Sequence, residues 1–191
     1  MKEIVQKENP VLREKSVEVP HKDITSDTVK SVLKDMYEAL KEKGCGVALA
    51  APQIGMPLRI FIVSNKVFED DGNCKKETDD EINSGNKKED NLVYINPKII
   101  KSSKKTCEIE EACLSVEGYF GIVTRAKLVT VEAYDESGVK FTRGASGLLA
   151  QIFQHEIEHL NGMLYIDHAR NIQKVEIEKP QKTKKLNTNP S

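Results

Sequence analysis

The ten residues FQHEIEHLNG, positions 153–162, set Glu156 beside the first of two histidines spaced four apart. On a helix that spacing stacks His155 and His159 one turn apart on one face, within reach of a single metal ion. Leu148 and Ile152 continue the same stripe, and Leu149, Phe153 and Leu160 form an apolar stripe beside it. The histidines therefore belong to a face that should be buried. Taken singly, each reads as a core histidine hydrogen-bonded to backbone, with Glu156 on the solvated side. Taken together they match a known mechanism, in which two neutral imidazoles hold a divalent ion and the neighbouring Glu accepts a proton from water. A catalytic site of this kind takes three protein ligands. The residues alone leave the third open between His168 downstream, which lacks the extended zinc-peptidase pattern, and Cys113 upstream.

Outward from this helix, Val29, Val32, Leu33, Met36 and Leu40 recur at helical spacing from Ser26 to Lys43, with Ser26 or Asp27 to cap the start and Gly44 to end it. GCGVALAAPQIGMP (44–57) reads as a small-residue loop that admits close backbone approach. LRIFIVS, LVYINPKII and the region of KTCEIEE read as strands. KLVTVEAYDESGVKFTR alternates on both sides of a Glu-Ser-Gly turn and predicts a hairpin. The metal-binding helix runs from about Ser146, with Gly162 as its stop signal. Residues 66–91 are acidic and Lys-containing and read as a surface insertion; residues 171–191 read as a polar, Lys-rich tail. One domain over 1–170 remains. The order of elements predicts an α+β fold, with antiparallel or mixed strands around a central HExxH helix.

The chain has 191 residues, 38% apolar and 31% charged, and a net charge of −1. That gives no global attraction to nucleic acid or to an acidic membrane. Aromatic content is 5% with no Trp, which argues against a stacking platform for single strands. The N-terminus has no apolar signal-like segment, and no apolar run approaches a membrane span, so the cytoplasm is the expected compartment, without excluding an organellar matrix. There the four cysteines are expected as thiols or ligands rather than disulfides.

Three motifs together carry a resemblance. GVALAAPQ (46–53), EACLS (111–115) and QHEIEHLNG (154–162) resemble, in order, the three signature segments of the peptide deformylases. NPVLREKS and INPKI are also similar, and the likeness covers about residues 1–168. It implies that the metal ligands are Cys113, His155 and His159, that Glu156 is the general base and acid, and that Gln53 and the backbone N–H of Leu114 meet the developing oxyanion. It implies a substrate peptide, N-formylmethionyl and nascent, laid as an added strand beside Val47 and Ala112. Val47 and Ile152 would line the methionine pocket or serve ordinary core packing. The implied cofactor is one divalent ion, Fe²⁺ in the cell, with Zn²⁺, Ni²⁺ or Co²⁺ able to replace it in purified protein. The ribosome is an implied neighbour, with no membrane and no sequence-specific nucleic acid among the partners.

Four positions depart from the family pattern. Ala48 and Ala112 stand where it has glycine, Glu158 where it has Asp, and Glu117 where many members have Pro. A glycine that needs positive φ would not tolerate a methyl group, so Ala48 and Ala112 bear on rate and substrate preference. Three rival readings stand beside the resemblance: an HExxH peptidase with a downstream ligand, a relative that keeps its metal only as a structural staple or binds peptides without cleaving them, and a nucleic-acid-binding module whose only support is the Lys-rich tail, more simply a solvated end.

Overall fold

Ser26 starts the first helix, its hydroxyl oxygen accepting the Val29 N–H at 3.3 Å. Helix α1 (Asp27–Glu42) then buries Val29, Val32, Leu33, Met36 and Leu40 along one face, as the spacing predicts, and Gly44 follows with φ +58°. These elements belong to a computed structural model that describes residues 2–44, 46–69 and 91–175. In chain order the remaining elements are β1 (Ala48–Ala50), β2 (Ile60–Val63), the short helix α2 (Lys66–Glu69), β3 (Leu92–Ser102), β4 (Thr106–Ala112), β5 (Tyr119–Ala126), β6 (Leu128–Tyr134), β7 (Lys140–Ser146), α3 (Gly147–Leu160) and β8 (Arg170–Lys174). The α+β class is borne out.

One antiparallel sheet has the order β1-β2-β3-β6-β7 and is covered on both faces. This is why IFIV in β2 is continuously apolar rather than alternating: Ile60 and Ile62 join Leu49 and Ile95 under α1, while Phe61 and Val63 join Ala50 and Tyr94 under α3. Phe61 stacks on Tyr94 at 4.5 Å between centroids, and Phe153 of α3 packs edge-on against Tyr94 at 4.9 Å. Helix α3 is thereby seated at the centre of the fold. The second sheet, β4-β5-β8, lies beside it.

Part of the segment read as a loop at 44–57 is ordered structure. Ala48–Ala50 pair with β2, and Ala51–Ile54 form a 3₁₀ turn. Small side chains had suggested close approach, and Gly46 provides it: a Cβ there would lie 2.7 Å from Leu40 Cδ1. The polar tail read from residue 171 also begins too early. Arg170–Lys174 pair with β5 as an edge strand whose side chains are all exposed, so its polar composition hid backbone pairing. The insertion from 70 to 90 and the tail from 176 lie outside the described residues.

Gly162 ends α3 as anticipated. Its φ is +75°, the N–H of Met163 returns to the Glu158 carbonyl at 3.0 Å, and a Cβ would lie 2.6 Å from the Arg13 carbonyl oxygen. Left-handed strain and this backbone clash act together in Gly162→Ala, which is expected to lose about 3 kcal/mol of stability in urea unfolding; a loss below ~1 kcal/mol would show that the Arg13 loop yields.

Candidate active site

Strand β4 ends at Ala112 and delivers Cys113 to the start of a tight turn closed by Val116 N–H on the Cys113 carbonyl, 2.9 Å. Helix α3 delivers His155 and His159, whose rings stand 4.9 Å apart. The ligand atoms of Cys113, His155 and His159 all lie within 4.8 Å of one another. His168 instead faces Glu158, with Nε2 3.6 Å from a carboxylate oxygen. Of the upstream and downstream candidates, it is Cys113 that the end of β4 brings beside the two histidines.

Cys113, His155 and Glu156 line a cleft of about 480 Å³. Its walls come from Val47 and Ala48 on one side and Glu110, Ala112 and Leu114 on the other, and Ile152 lies on the helix between them. Strands β1 and β4 are the edge strands of their two sheets, so an open edge borders the cleft on each side. Neither Ala48 nor Ala112 has positive φ; among described non-glycine residues only Asn96 and Asn171 do. Both alanines sit in extended strands, where a methyl group costs no strain. Ala48 turns its methyl into the core, while Ala112 is exposed.

Gln53 is buried, at 2% exposure, and is far more than a turn residue. The Ala50 N–H can only donate, so it fixes the amide oxygen, Oε1, at 2.8 Å. The other half of the amide, Nε2, then points to Ser115 Oγ at 3.1 Å and to Cys113 Sγ at 3.5 Å. Leu114 follows Cys113 on the cleft wall, its carbonyl held by the Gln6 side-chain amide at 3.1 Å.

The donor set fits a divalent metal. Tetrahedral coordination with metal–sulfur and metal–nitrogen bonds of ~2.3 and ~2.0 Å places S and N about 3.5 Å apart; Cys113 Sγ and His159 Nε2 lie 3.2 Å apart. His155 Nδ1 is engaged by Glu111 Oε2 at 3.1 Å, which leaves Nε2 as the nitrogen that could face a metal. Glu111 is itself held by Arg125, through two bonds of 2.7 Å, and Arg125 reaches on to both carboxylate oxygens of Glu158. Only 4% of the Arg125 side chain and 2% of the Glu111 side chain are exposed.

Burial opposes charge throughout this cluster, and the local partners decide the outcome. It works against the Glu111 carboxylate, yet the hydrogen bonds from Arg125 and His155 bring its pKa down to about 2. His155 is raised well above its ordinary range despite burial, because Cys113 and Glu111 both favour its cation. Burial and repulsion from His155 keep His159 neutral. Glu156 is 4% exposed and its Oε2 has no partner among the described residues, contrary to the solvated side expected of a bystander. Burial raises it to about 7, with the charge of His155 opposing and that of Glu111 assisting. A carboxylate balanced near neutral pH is suited to exchange protons there.

Sequence reasoning did not single out Arg125, Glu111, Ser115, Gln6 or Tyr165. Arg125 had a usable signal: it follows Gly121 and Val123 at period two, on the buried face of β5. Tyr165 stacks against His155 at 6.0 Å and donates its hydroxyl to the Tyr119 carbonyl at 2.9 Å, and no local pattern foretells that.

The family model described as Polypeptide deformylase matches residues 1–175. Peptide deformylase 1A, chloroplastic, of Solanum lycopersicum is 37% identical over 172 residues, which is 87% of this chain and 59% of that protein. The chain spans about three fifths of the length of the plant relatives it matches. The peptide deformylase of Borreliella burgdorferi is 36% identical over 90% of each chain. The crystal structure of a peptide deformylase from Legionella pneumophila superposes with a TM-score of 0.71 at 33% identity, covering 90% of this chain and 87% of that one.

Removing the Arg125 fork would strand two carboxylates, one of them almost fully buried. Arg125→Met is expected to lose about 4 kcal/mol in urea unfolding, and Arg125→Lys to recover only part of it, because a point charge cannot bridge two carboxylates bidentately. Equal stability of the Lys variant and the native protein would show that charge alone suffices.

Proposed function

The chain belongs to the polypeptide deformylase family, and on that premise we propose that it is a metal-dependent hydrolase that removes the N-formyl group from N-formylmethionyl nascent peptides. The observation that carries this reading is the buried Glu156 carboxylate, with one oxygen free of partners, beside three converging ligand atoms in an open cleft.

Cys113, His155 and His159 would hold the ion. When bound there, a divalent ion supplies a water of lowered pKa and polarises the formyl carbonyl. Glu156 takes the proton released as the water oxygen attacks the formyl carbon. The Gln53 amide N–H, aimed by the lock on its oxygen, and the backbone N–H of Leu114 donate to the carbonyl oxygen as charge develops on it. The C–N bond then breaks, Glu156 returns its proton to the leaving nitrogen, and the products are formate and a free amino terminus. The peptide lies extended between the two sheet edges, near Ala48 and Ala112, with Val47 and Ile152 beside the methionine side chain.

We assign Fe²⁺ as the metal in the cell, since a thiolate and two imidazoles suit a borderline ion. Zn²⁺, Ni²⁺ and Co²⁺ share that preference and serve as replacements in purified protein. Among the described residues no helix is long and apolar enough to cross a membrane. The proposed setting is the compartment where nascent formylated chains emerge, a bacterial-type cytoplasm or the matrix of an organelle. The ribosome is the proposed neighbour, and residues 176–191 are the proposed point of contact. Cosedimentation with ribosomes should weaken severalfold without those residues; unchanged cosedimentation removes that contact.

Protein prepared without oxygen and loaded with Fe²⁺ or Ni²⁺ is expected to release formate from a formyl-Met peptide. Glu156→Ala should lower kcat by about 10²–10⁴-fold while keeping a full equivalent of metal. No formate from native protein holding a full equivalent would overturn the assignment in favour of a structural metal.

A further inference from the structure

Between the two sheet edges, one side chain crosses from α3 to β4. Gln151 lies one turn before His155, lines the cleft, and donates its side-chain N–H to the backbone carbonyl of Glu110 at 3.0 Å. That carbonyl is therefore turned away from β5 and toward the open edge of β4. Successive residues of an extended strand point their polar groups to alternate sides, so Ala112 presents its own N–H and C=O to the same open edge. On the facing wall, the Val47 carbonyl accepts the Ser64 N–H at 2.8 Å, and the alternation turns Ala48 toward the cleft. The backbone positions open to an extended ligand are thus Ala48, Ala112 and Glu110, and Gln151 already occupies the last.

Distance along the strand says which part of a ligand is affected. Cys113 marks the reacting end. Ala112 adjoins it, and Glu110 lies two residues further back, about 7 Å along the strand. The first residue of an extended peptide falls beside Ala112 and the third falls beside Glu110. A dipeptide does not reach the occupied carbonyl; a longer chain does.

We propose that Gln151 is a specificity-determining residue that caps the Glu110 carbonyl and so confines backbone reading of the peptide to its first two residues. The inference rests on the deformylase reading above. The residue after methionine is then still held by pairing, while further residues gain little from the edge. Replacing Gln151 by a side chain that cannot donate frees the carbonyl for the N–H of the third residue.

The measurement is the ratio of KM for formyl-Met-Ala-dimethylamide, which has no N–H at the third position, to KM for formyl-Met-Ala-Ser-Ala-dimethylamide, taken for the native protein, Gln151→Leu and Gln151→Glu. Both peptides end in an uncharged amide, so the ratio cancels general changes in the cleft. It is expected to rise about fivefold in both variants, the equivalent of one net hydrogen bond of ~1 kcal/mol. Calorimetric binding of the same two peptides to the Glu156→Ala background should give the same change in the ratio of Kd. A ratio within twofold of native in either folded variant overturns the proposal and leaves the deformylase reading standing. Failure of the native protein to hydrolyse either peptide, together with failure of the Glu156→Ala protein to bind either, overturns both.

Discussion

The guanidinium of Arg125 is the contact on which the site depends. It stands on β5, takes both oxygens of Glu111 from β4, and takes both oxygens of Glu158 from α3. A buried cation between two carboxylates is costly to desolvate, and the bidentate geometry on each side is what offsets the cost. One residue thereby docks the three-stranded sheet against the helix. The consequence reaches the chemistry directly, because Glu111 holds His155 Nδ1 and so sets the orientation of that ring. Glu158 completes the docking, although it is one methylene longer than the Asp of the family pattern; its partial exposure, 20% of the side chain, leaves room for the longer arm.

The same docking creates the cleft. The five-stranded sheet ends at β1 and the three-stranded sheet ends at β4, and neither edge is covered by the other. Open strand edges are usually a liability because unpaired N–H and C=O groups recruit other chains. Here the two edges border a pocket lined by residues of α3, so the liability is confined to that cleft. Glu156 lies at the bottom of that space, and its burial is what raises its pKa to about 7. Fold and proton affinity therefore have one cause.

Local patterns were legible wherever a single element decided them. The stripe of α1, the caps at Ser26 and Gly162, and the hairpin around Asp135–Val139 follow from periodicity and turn chemistry over a few residues. Edge strands were less legible. β8 is exposed along its whole length and polar except for Ile172, so hydrophobic alternation could not reveal it, and β1 is only three residues long. Arg125 was overlooked for a related reason: a charge at an inward position has meaning only once its two partners, 14 and 33 residues away, are known to converge on it.

By itself the sequence determined the pairing of His155 with His159 and the place of Glu156 beside them, because helical repeat alone puts residues four apart on one face. Through its resemblance to a family it also pointed to Cys113, Gln53 and Leu114. Tertiary structure alone decided that Cys113 Sγ comes within 3.2 Å of His159 Nε2, that the Gln53 amide is locked with its N–H toward the site, and that Gln151 covers the Glu110 carbonyl. The contacts of Cys113 with Gln53 and His159, and of Gln151 with Glu110, join segments 41 to 60 positions apart, while the lock on the Gln53 oxygen is local, three residues from Ala50. Their distances are set by how a sheet edge docks on a helix, a balance of burial and buried charge over the whole core that no local spacing encodes.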